Sequence, residues 1–479
     1  MKSPSILGLL KMSSICRCEE RRLRRDEAIS LFDRRYVRGR DCFAVLAMTF
    51  NRLFRQGHST CLAIIAAIAV STIAGSGRAA SLLIPMDSTQ ANHLKAYGVI
   101  FKSLEKGHKA EWLLNYRSGS FLVDDSKDVT DMCLLMGVSA EPVSSDGIAD
   151  IYRQIEVENM ERVELEKAPK IAVYSPSNKE PWDDAVTLAL SYAEIPYDLV
   201  WDEEVLSGGL DDYDWLHCHH EDFTGQYGKF YAAMRNQLWY QADVRSNEEM
   251  ARKMGFAKVS QLKLAVTQKI EDFVRRGGFF FSMCSAPETI DIALAAEGVD
   301  IVPREFDGDP VEPGAQGKLN YSRSMAFENF EISLDPMVYR RSNIDTYPDR
   351  QVRFITPDDD FFFLFEFSAK LDPVPTMLTQ NHVNTLNGFM GQVTGFRKSL
   401  LKKSVTVLAQ PDNYDEVRYI HGNLGRGTFT FLAGHDPEDY QHMVGDPPTD
   451  LSVHIHSPGY RLILNNILFP AAKKKERKT

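Results

Sequence analysis

Phe279-Phe280-Phe281-Ser282-Met283-Cys284-Ser285-Ala286 is the stretch that decides how this chain is read. The apolar run from Phe279 to Met283 reads as a buried strand, and it begins directly after Gly277-Gly278, which stop a periodic helix pattern from Leu262 to Arg275. It ends at Cys284, with small residues two before and two after it, Ser282 and Ala286, as a sharp strand-to-helix turn requires. A helix after such a turn aims its positive end at the thiol and lowers its pKa. The competing reading is a buried cysteine closing a core strand, since cysteine is among the most buried residue types.

A second strand pattern, Gly427 to Ala433, runs into Gly434-His435-Asp436-Pro437-Glu438. Polar side chains at the carboxyl edge of an open α/β sheet stand where such folds bind ligands. Cys284 as nucleophile, His435 as base and Glu438 as the group that orients the imidazole make up the set that acyl transfer needs. A polar loop with Asp436 as a helix cap is the structural alternative. Between these stretches lies the densest titratable cluster, His217-Cys218-His219-His220-Glu221-Asp222. On a strand, His217 and His219 face one way and Cys218 and His220 the other, so a tetrahedral metal set requires the chain to turn there. The cluster is read as substrate-binding, with Gln226, Tyr227 and Lys229 lining the same pocket, and with zinc ligation or packing histidines as alternatives. No metal and no cofactor enter this reading.

Working outward, Ile171-Ala172-Val173-Tyr174, Tyr197 to Val200 and Tyr213 to His217 read as strands, and Trp182 to Ala193 as a helix. Strand, helix, strand with short connections predicts a parallel sheet wrapped by helices. The segment before Lys167 alternates in the same way: strands at Ser81 to Met86, Trp112 to Tyr116 and Phe121 to Val123, a helix capped by Asp87 or Ser88, and another near Met132 to Met136. The predicted organisation is an N-terminal α/β segment over 80–167 and a main domain over 168–472, with an insertion near 301–350 where Pro, Gly and Asp accumulate, and a basic tail over 473–479. Ser207-Gly208-Gly209-Leu210-Asp211-Asp212 imitates a pyrophosphate-binding loop, but acidic residues flank it on both sides, and it reads as a plain turn.

Charge narrows the partners. The first 79 residues hold 14 Lys and Arg against 6 Asp and Glu, and the rest holds 41 against 60, a formal charge of −19. So acidic a body excludes nucleic acid and anionic membrane as main partners, leaving a small-molecule substrate or ligand. Arg52 and Arg55, the apolar run Cys61 to Val70 and the small residues Gly75 to Ala80 follow the order of a secretory signal peptide. Residues 48–79 are therefore read as a signal starting at Met48, residues 1–47 as a non-native or disordered upstream extension, and the protein as exported, periplasmic or extracellular, with no stable membrane span after cleavage. Only Cys133, Cys218 and Cys284 then remain, too few for a disulfide framework.

The order of strand, cysteine elbow, helix, Gly-x-Gly turn, strand, Gly-His-x-Pro-Glu and the helix Arg461-Leu462-Ile463-Leu464-Asn465-Asn466-Ile467-Leu468 resembles the class I glutamine amidotransferase-like superfamily, with its ThuA-like branch in the C-terminal stretch. Leu83 to Asp87, His93 to Gly98, Trp112 to Arg117, His219 to Lys229 and Gly434 to Tyr440 are similar to exported bacterial proteins labelled asparagine synthetase B. The resemblance implies a three-layer α/β sandwich with a mostly parallel sheet, preceded by a smaller α/β segment. It also implies a cysteine-dependent hydrolase or acyl transferase, or a glutamine-hydrolysing asparagine synthetase. The elbow here is Ser-x-Cys-x-Ala where the superfamily carries Gly-x-Cys-x-Gly, and His435 and Glu438 are three apart instead of two. A non-catalytic member would bind a carbohydrate or other small ligand at the same edge, with Trp182, Trp215, Tyr227 and Tyr240 as stacking aromatics.

Overall fold

A computed structural model describes residues 81–473 apart from 177–183, 348–355, 373, 413 and 444. The predicted signal segment, the upstream extension, Trp182 and nearly all of the basic tail lie outside the described residues.

Five strands, β1 (Ser81–Ile84), β2 (Ala110–Leu114), β3 (Ser120–Asp124), β4 (Glu141–Val143) and β5 (Glu161–Leu165), form a first sheet in the order β4-β1-β3-β2-β5, antiparallel throughout. Helices α1 (His93–Glu105), α2 (Lys127–Met136) and α3 (Ser145–Val157) belong to the same stretch. The α1 cap is Asn92, whose side chain accepts from the Lys95 N–H at 3.0 Å, and not Asp87 or Ser88 as the sequence suggested. The Asp87 carboxylate is instead held by Arg117 at 2.6 Å.

The second sheet has nine strands. They are β6 (Ile171–Tyr174), β7 (Asp198–Val200), β8 (Trp215–Cys218), β9 (Phe279–Met283), β10 (Phe361–Leu364), β11 (Thr385–Asn387), β13 (Thr406–Gln410), β15 (Tyr419–Leu424) and β16 (Gly427–Leu432); β12 (Phe396–Arg397) and β14 (Glu416–Val417) pair separately. The order is β11-β10-β13-β15-β16-β9-β8-β6-β7. From β7 to β16 every pairing is parallel, whereas from β16 to β11 every pairing is antiparallel. The α/β class stands, but the sheet is mixed and not mostly parallel. The physical reason is the Gly425-Arg426 turn, which is too short for a helical crossover and so forces β15 and β16 into a hairpin.

Strand alternation fills two cores, one on each face of this sheet. Trp215, Phe281, Met283 and Leu432 point into one with α1, α4 (Ala185–Tyr192) and α8 (Pro458–Leu468). Leu216, Cys218, Phe280 and Phe431 point into the other, where α6 (Val259–Arg276) and α7 (Ala286–Ala295) lie; α5 (Leu238–Lys253) packs beside α6. The excursion after Pro303 returns to this second core through Met325, Ala326 and Phe327, whose N–H groups all donate to the buried Asp291 carboxylate. Ser207 to Asp212 joins a short helix to a 3-10 turn, with no strand delivering it, so the turn reading of that glycine loop fits its setting. Cys133, Cys218 and Cys284 are free and buried, and among the described residues no helix is long and apolar enough to cross a membrane.

Several histidines sit inside this body. Burial pulls the pKa of His421 down to about 4, and burial followed by the charge of Arg461 does the same to His93. Between about pH 4 and 6.5 the unfolded chain therefore binds more protons at these groups than the folded one. Their stabilisation is complete above about pH 6.5 and is lost as pH falls toward 4, by up to about 1.4 kcal/mol per pH unit for each histidine. Urea midpoints measured at pH 7 and pH 5 are expected to differ accordingly, with a shallower dependence in His421→Gln. A dependence unchanged by that substitution would contradict the assignment.

Candidate functional site

Register brings the site together. In the parallel ladders Met283 pairs with Leu432 and Ser282 with Cys218, so at the carboxyl edge Ala433 stands level with Cys284, and His219 stands level with Met283, one residue before it. Cys284 then turns with φ 52, a left-handed conformation that a non-glycine residue adopts only when its surroundings impose it. The turn is pinned on both sides. The Cys284 N–H donates to Gly434 O at 3.1 Å, the Ala286 N–H to His219 O at 3.1 Å, and Ser285 Oγ to His220 O at 3.0 Å. The elbow thus stitches the end of β16 to the end of β8, two strands that β9 otherwise holds apart.

Phe389 to Thr394 closes over the thiol. Backbone N–H groups of Gln392, Val393 and Ser285 point at the Cys284 sulfur, and a β-carbon at Gly391 would lie 3.3 Å from it. Cys284 is only 1% exposed. Burial pushes its thiol up to about 11 even though those donors and Arg341 pull the other way. Burial outweighs these pKa-lowering contributions.

Beside the thiol, imidazoles gather. The His435 ring lies 4.5 Å from that of His219, 6.3 Å from that of His220, and 4.9 Å from that of His442, stacked on it with an interplanar angle of 5°. Both His435 ring nitrogens are buried and have no hydrogen-bond partner among the described residues. Burial, then the nearby His219, His220 and His442, hold its pKa well below the usual histidine value. Burial and His219 bring His220 down to about 3. His217 places Nδ1 3.1 Å from Phe281 O and Nε2 3.3 Å from the Asp184 carboxylate, while His219 Nδ1 is 3.4 Å from the other Asp184 oxygen. The turn that a shared ligand set demanded is present, because β8 ends at Cys218 and His219 and His220 follow in irregular chain.

The remaining sequence-predicted residues have partners within the chain. Glu438 is a correction: its carboxylate pairs with His454 at 3.0 Å, leaving His435 without the orienting partner that the triad requires. Glu221 accepts from the His219 N–H at 2.7 Å, and burial raises it to about 7. Asp222 accepts from the N–H groups of Thr224 and Gly228 and from Arg341, organising the loop beyond the cluster. Lys229 donates to Ser333 O and Asp335 O at 2.8 and 3.0 Å, which commits its charge to backbone. Gln226 donates to Thr224 Oγ1 at 3.1 Å. Tyr227 packs on Tyr240 and Phe306, and Trp215 is sandwiched against His217 and Phe281, so these aromatics are core and not a stacking platform.

Three contributors escaped the sequence reading. Asp184 caps α4, accepting from the Val186 N–H at 2.7 Å, and an Asp before an apolar helical pattern is a recognisable cap signal. His442 follows His435 by seven residues and could have been grouped with it. The Gly391 to Val393 loop left no sequence signal, because its role lies in where its N–H groups point.

No protein-family profile matches the sequence, and no curated protein matches it. Among solved structures, the chain is similar to two cytoplasmic proteins of Salmonella typhimurium, STM3548 at 8% identity and STM1381 at 12%. The matches cover 64% of this chain and all of each of those, with TM-scores of 0.32 and 0.31. A β-galactosidase from Bacillus circulans sp. alkalophilus matches at 11% identity and a TM-score of 0.23, over 56% of this chain and 29% of that one. Similarity at these scores carries no argument about what the site does.

Proposed function

We propose that this chain binds a small polar ligand at the carboxyl edge of its parallel strands, on an amidotransferase-like three-layer α/β scaffold, with His435 as the central contact. The carrying observation is that both His435 nitrogens are buried without a partner, although a buried polar group left unsatisfied costs about 1–3 kcal/mol. A ligand that hydrogen-bonds or coordinates there recovers this cost. The test is a thermal-shift screen of the full chain with millimolar monosaccharides, amino acids and amino-acid amides. At least one class is expected to raise the melting temperature in a dose-dependent way, and the shift is expected to vanish in His435→Ala. A flat screen, or a shift that survives this substitution, would sink the reading.

A second reading, thiol-dependent acyl transfer at Cys284, is favoured by its φ of 52 and by the three N–H groups aimed at the sulfur, an arrangement that would stabilise a thiolate. The two readings separate on reactivity. With Cys284 covered and its thiol raised to about 11, iodoacetamide at neutral pH is expected to modify it no faster than Cys133, whose thiol burial also raises to about 11. Selective labelling of Cys284 that slows in His435→Ala would instead establish the acyl-transfer reading.

A further inference from the structure

We infer that His219, His220 and His435 form a three-histidine site for one divalent transition-metal ion of the zinc type. Each contributes one ring nitrogen, and the three atoms lie within 4.8 Å of one another. Tetrahedral zinc at about 2.0–2.1 Å from each nitrogen would draw its ligands to about 3.3 Å apart.

Three features distinguish this cluster from histidines that merely pack. The backbone is fixed by the elbow, since Cys284, Ser285 and Ala286 bond to Gly434, His220 and His219 and set the spacing of two strand ends that do not pair with each other. Next, an outer shell stands behind one ligand. Asp184 Oδ1, itself held by the Val186 N–H, lies 3.4 Å from His219 Nδ1, the carboxylate-behind-imidazole arrangement that directs the opposite nitrogen to a metal. His217 takes the other Asp184 oxygen and Phe281 O, so it supports the carboxylate and does not compete as a ligand. Finally, His435 is 5% exposed with neither ring nitrogen hydrogen-bonded among the described residues, so both nitrogens are open to a ligand. His442 stacks behind it and is anchored by Asp439 at 3.0 Å.

The donor set names the ion class. Three imidazoles with no carboxylate among them suit zinc, cobalt, nickel or copper, and not calcium or magnesium, which take oxygen ligands. Three protein ligands leave a fourth position for water or an oxygen atom of a small ligand, as in zinc sites that act on a bound molecule. The inference rests on the reading that this edge binds a ligand, and it names the ion through which the imidazoles would hold it. Of the other clusters, Asp184, His217 and His219 share His219 with this site and stand behind it, Asp300, Asp307 and Asp309 already surround Lys258, and Asp439 and Asp446 bring carboxylates to His442.

The experiment uses the full chain purified without chelator. Elemental analysis is expected to find about one equivalent of zinc, and cobalt added to chelator-stripped protein is expected to give the intense visible absorption of a tetrahedral site. His435→Ala and His220→Ala should each lose the equivalent and the absorption, Asp184→Asn should weaken binding by about 10–100-fold, and Cys133→Ser, on α2 outside the site, should leave stoichiometry unchanged. Circular dichroism and melting curves establish that each variant is folded, while the cobalt spectrum of the unmodified chain decides the matter without any variant. No tetrahedral cobalt signal from that chain, or a metal equivalent retained in both histidine variants, would overturn the inference. If stripped protein still shows the small-molecule shift while binding no metal, the ligand site stands and only the ion falls.

Discussion

Gly434→Ala is expected to destabilise the protein by roughly 2–6 kcal/mol, measured as a lowered urea midpoint, and to abolish whatever His435 binds. Two effects add. Gly434 has φ 96, where a residue with a β-carbon is strained by about 1–3 kcal/mol. The added carbon would also stand 2.1 Å from Cδ2 of the buried Phe389 ring and 2.7 Å from its carbonyl, and overpacking typically costs about 1–3 kcal/mol more. Because Gly434 O receives the Cys284 N–H and the next residue is His435, relief of this clash must move the elbow or the imidazole. A variant with an unchanged midpoint would show that the close approach to Phe389 is not maintained in solution.

Arg418→Met is expected to cost about 3–5 kcal/mol, because it removes the guanidinium from between two buried carboxylates. Arg418, Asp360 and Glu416 have fully buried side chains, with Arg418 Nε 2.7 Å from Glu416 and one Nη 3.0 Å from Asp360. Methionine fills much the same volume, so the loss reports charge and hydrogen bonding more than a cavity. The consequence reaches the site. Asp360 lies hard against Gly388 and Glu416 hard against Gly395, the two ends of the loop that covers Cys284. Iodoacetamide is therefore expected to modify Cys284 several-fold faster in this variant than in the unmodified chain. If stability falls without a change in labelling, the loop is held by other contacts; if neither changes, the ion network is not formed.

Local signals in the chain were enough to place most elements that carry the site. Gly277-Gly278 closing α6, the apolar Phe279 to Met283 run and the Gly425 to Gly427 turn each act through a few neighbouring residues, and each appears in the structure where the pattern puts it. The helix from Leu238 to Lys253 carries no clear sequence signal, because its buried positions, chiefly Tyr240 and Ala251, are too few to set a period. The resemblance implies a mostly parallel sheet, yet half of the nine-stranded sheet's pairings are antiparallel, since strand direction depends on connection length and partner choice and not on strand composition.

At the site the division is sharper. Residue type and spacing alone placed Cys284, His435 and the His217 to Asp222 cluster at strand ends, because polar residues closing apolar strands must lie at a sheet edge. Which of them meet was decided only in three dimensions. Parallel register set His219 level with Met283, the left-handed turn at Cys284 tied the ends of β8 and β16 together, and His435 was thereby delivered to other imidazoles while Glu438 went to His454. Burial pushes the Cys284 thiol up and the His435 imidazole down, which no sequence window reports because desolvation depends on what the fold packs around each group.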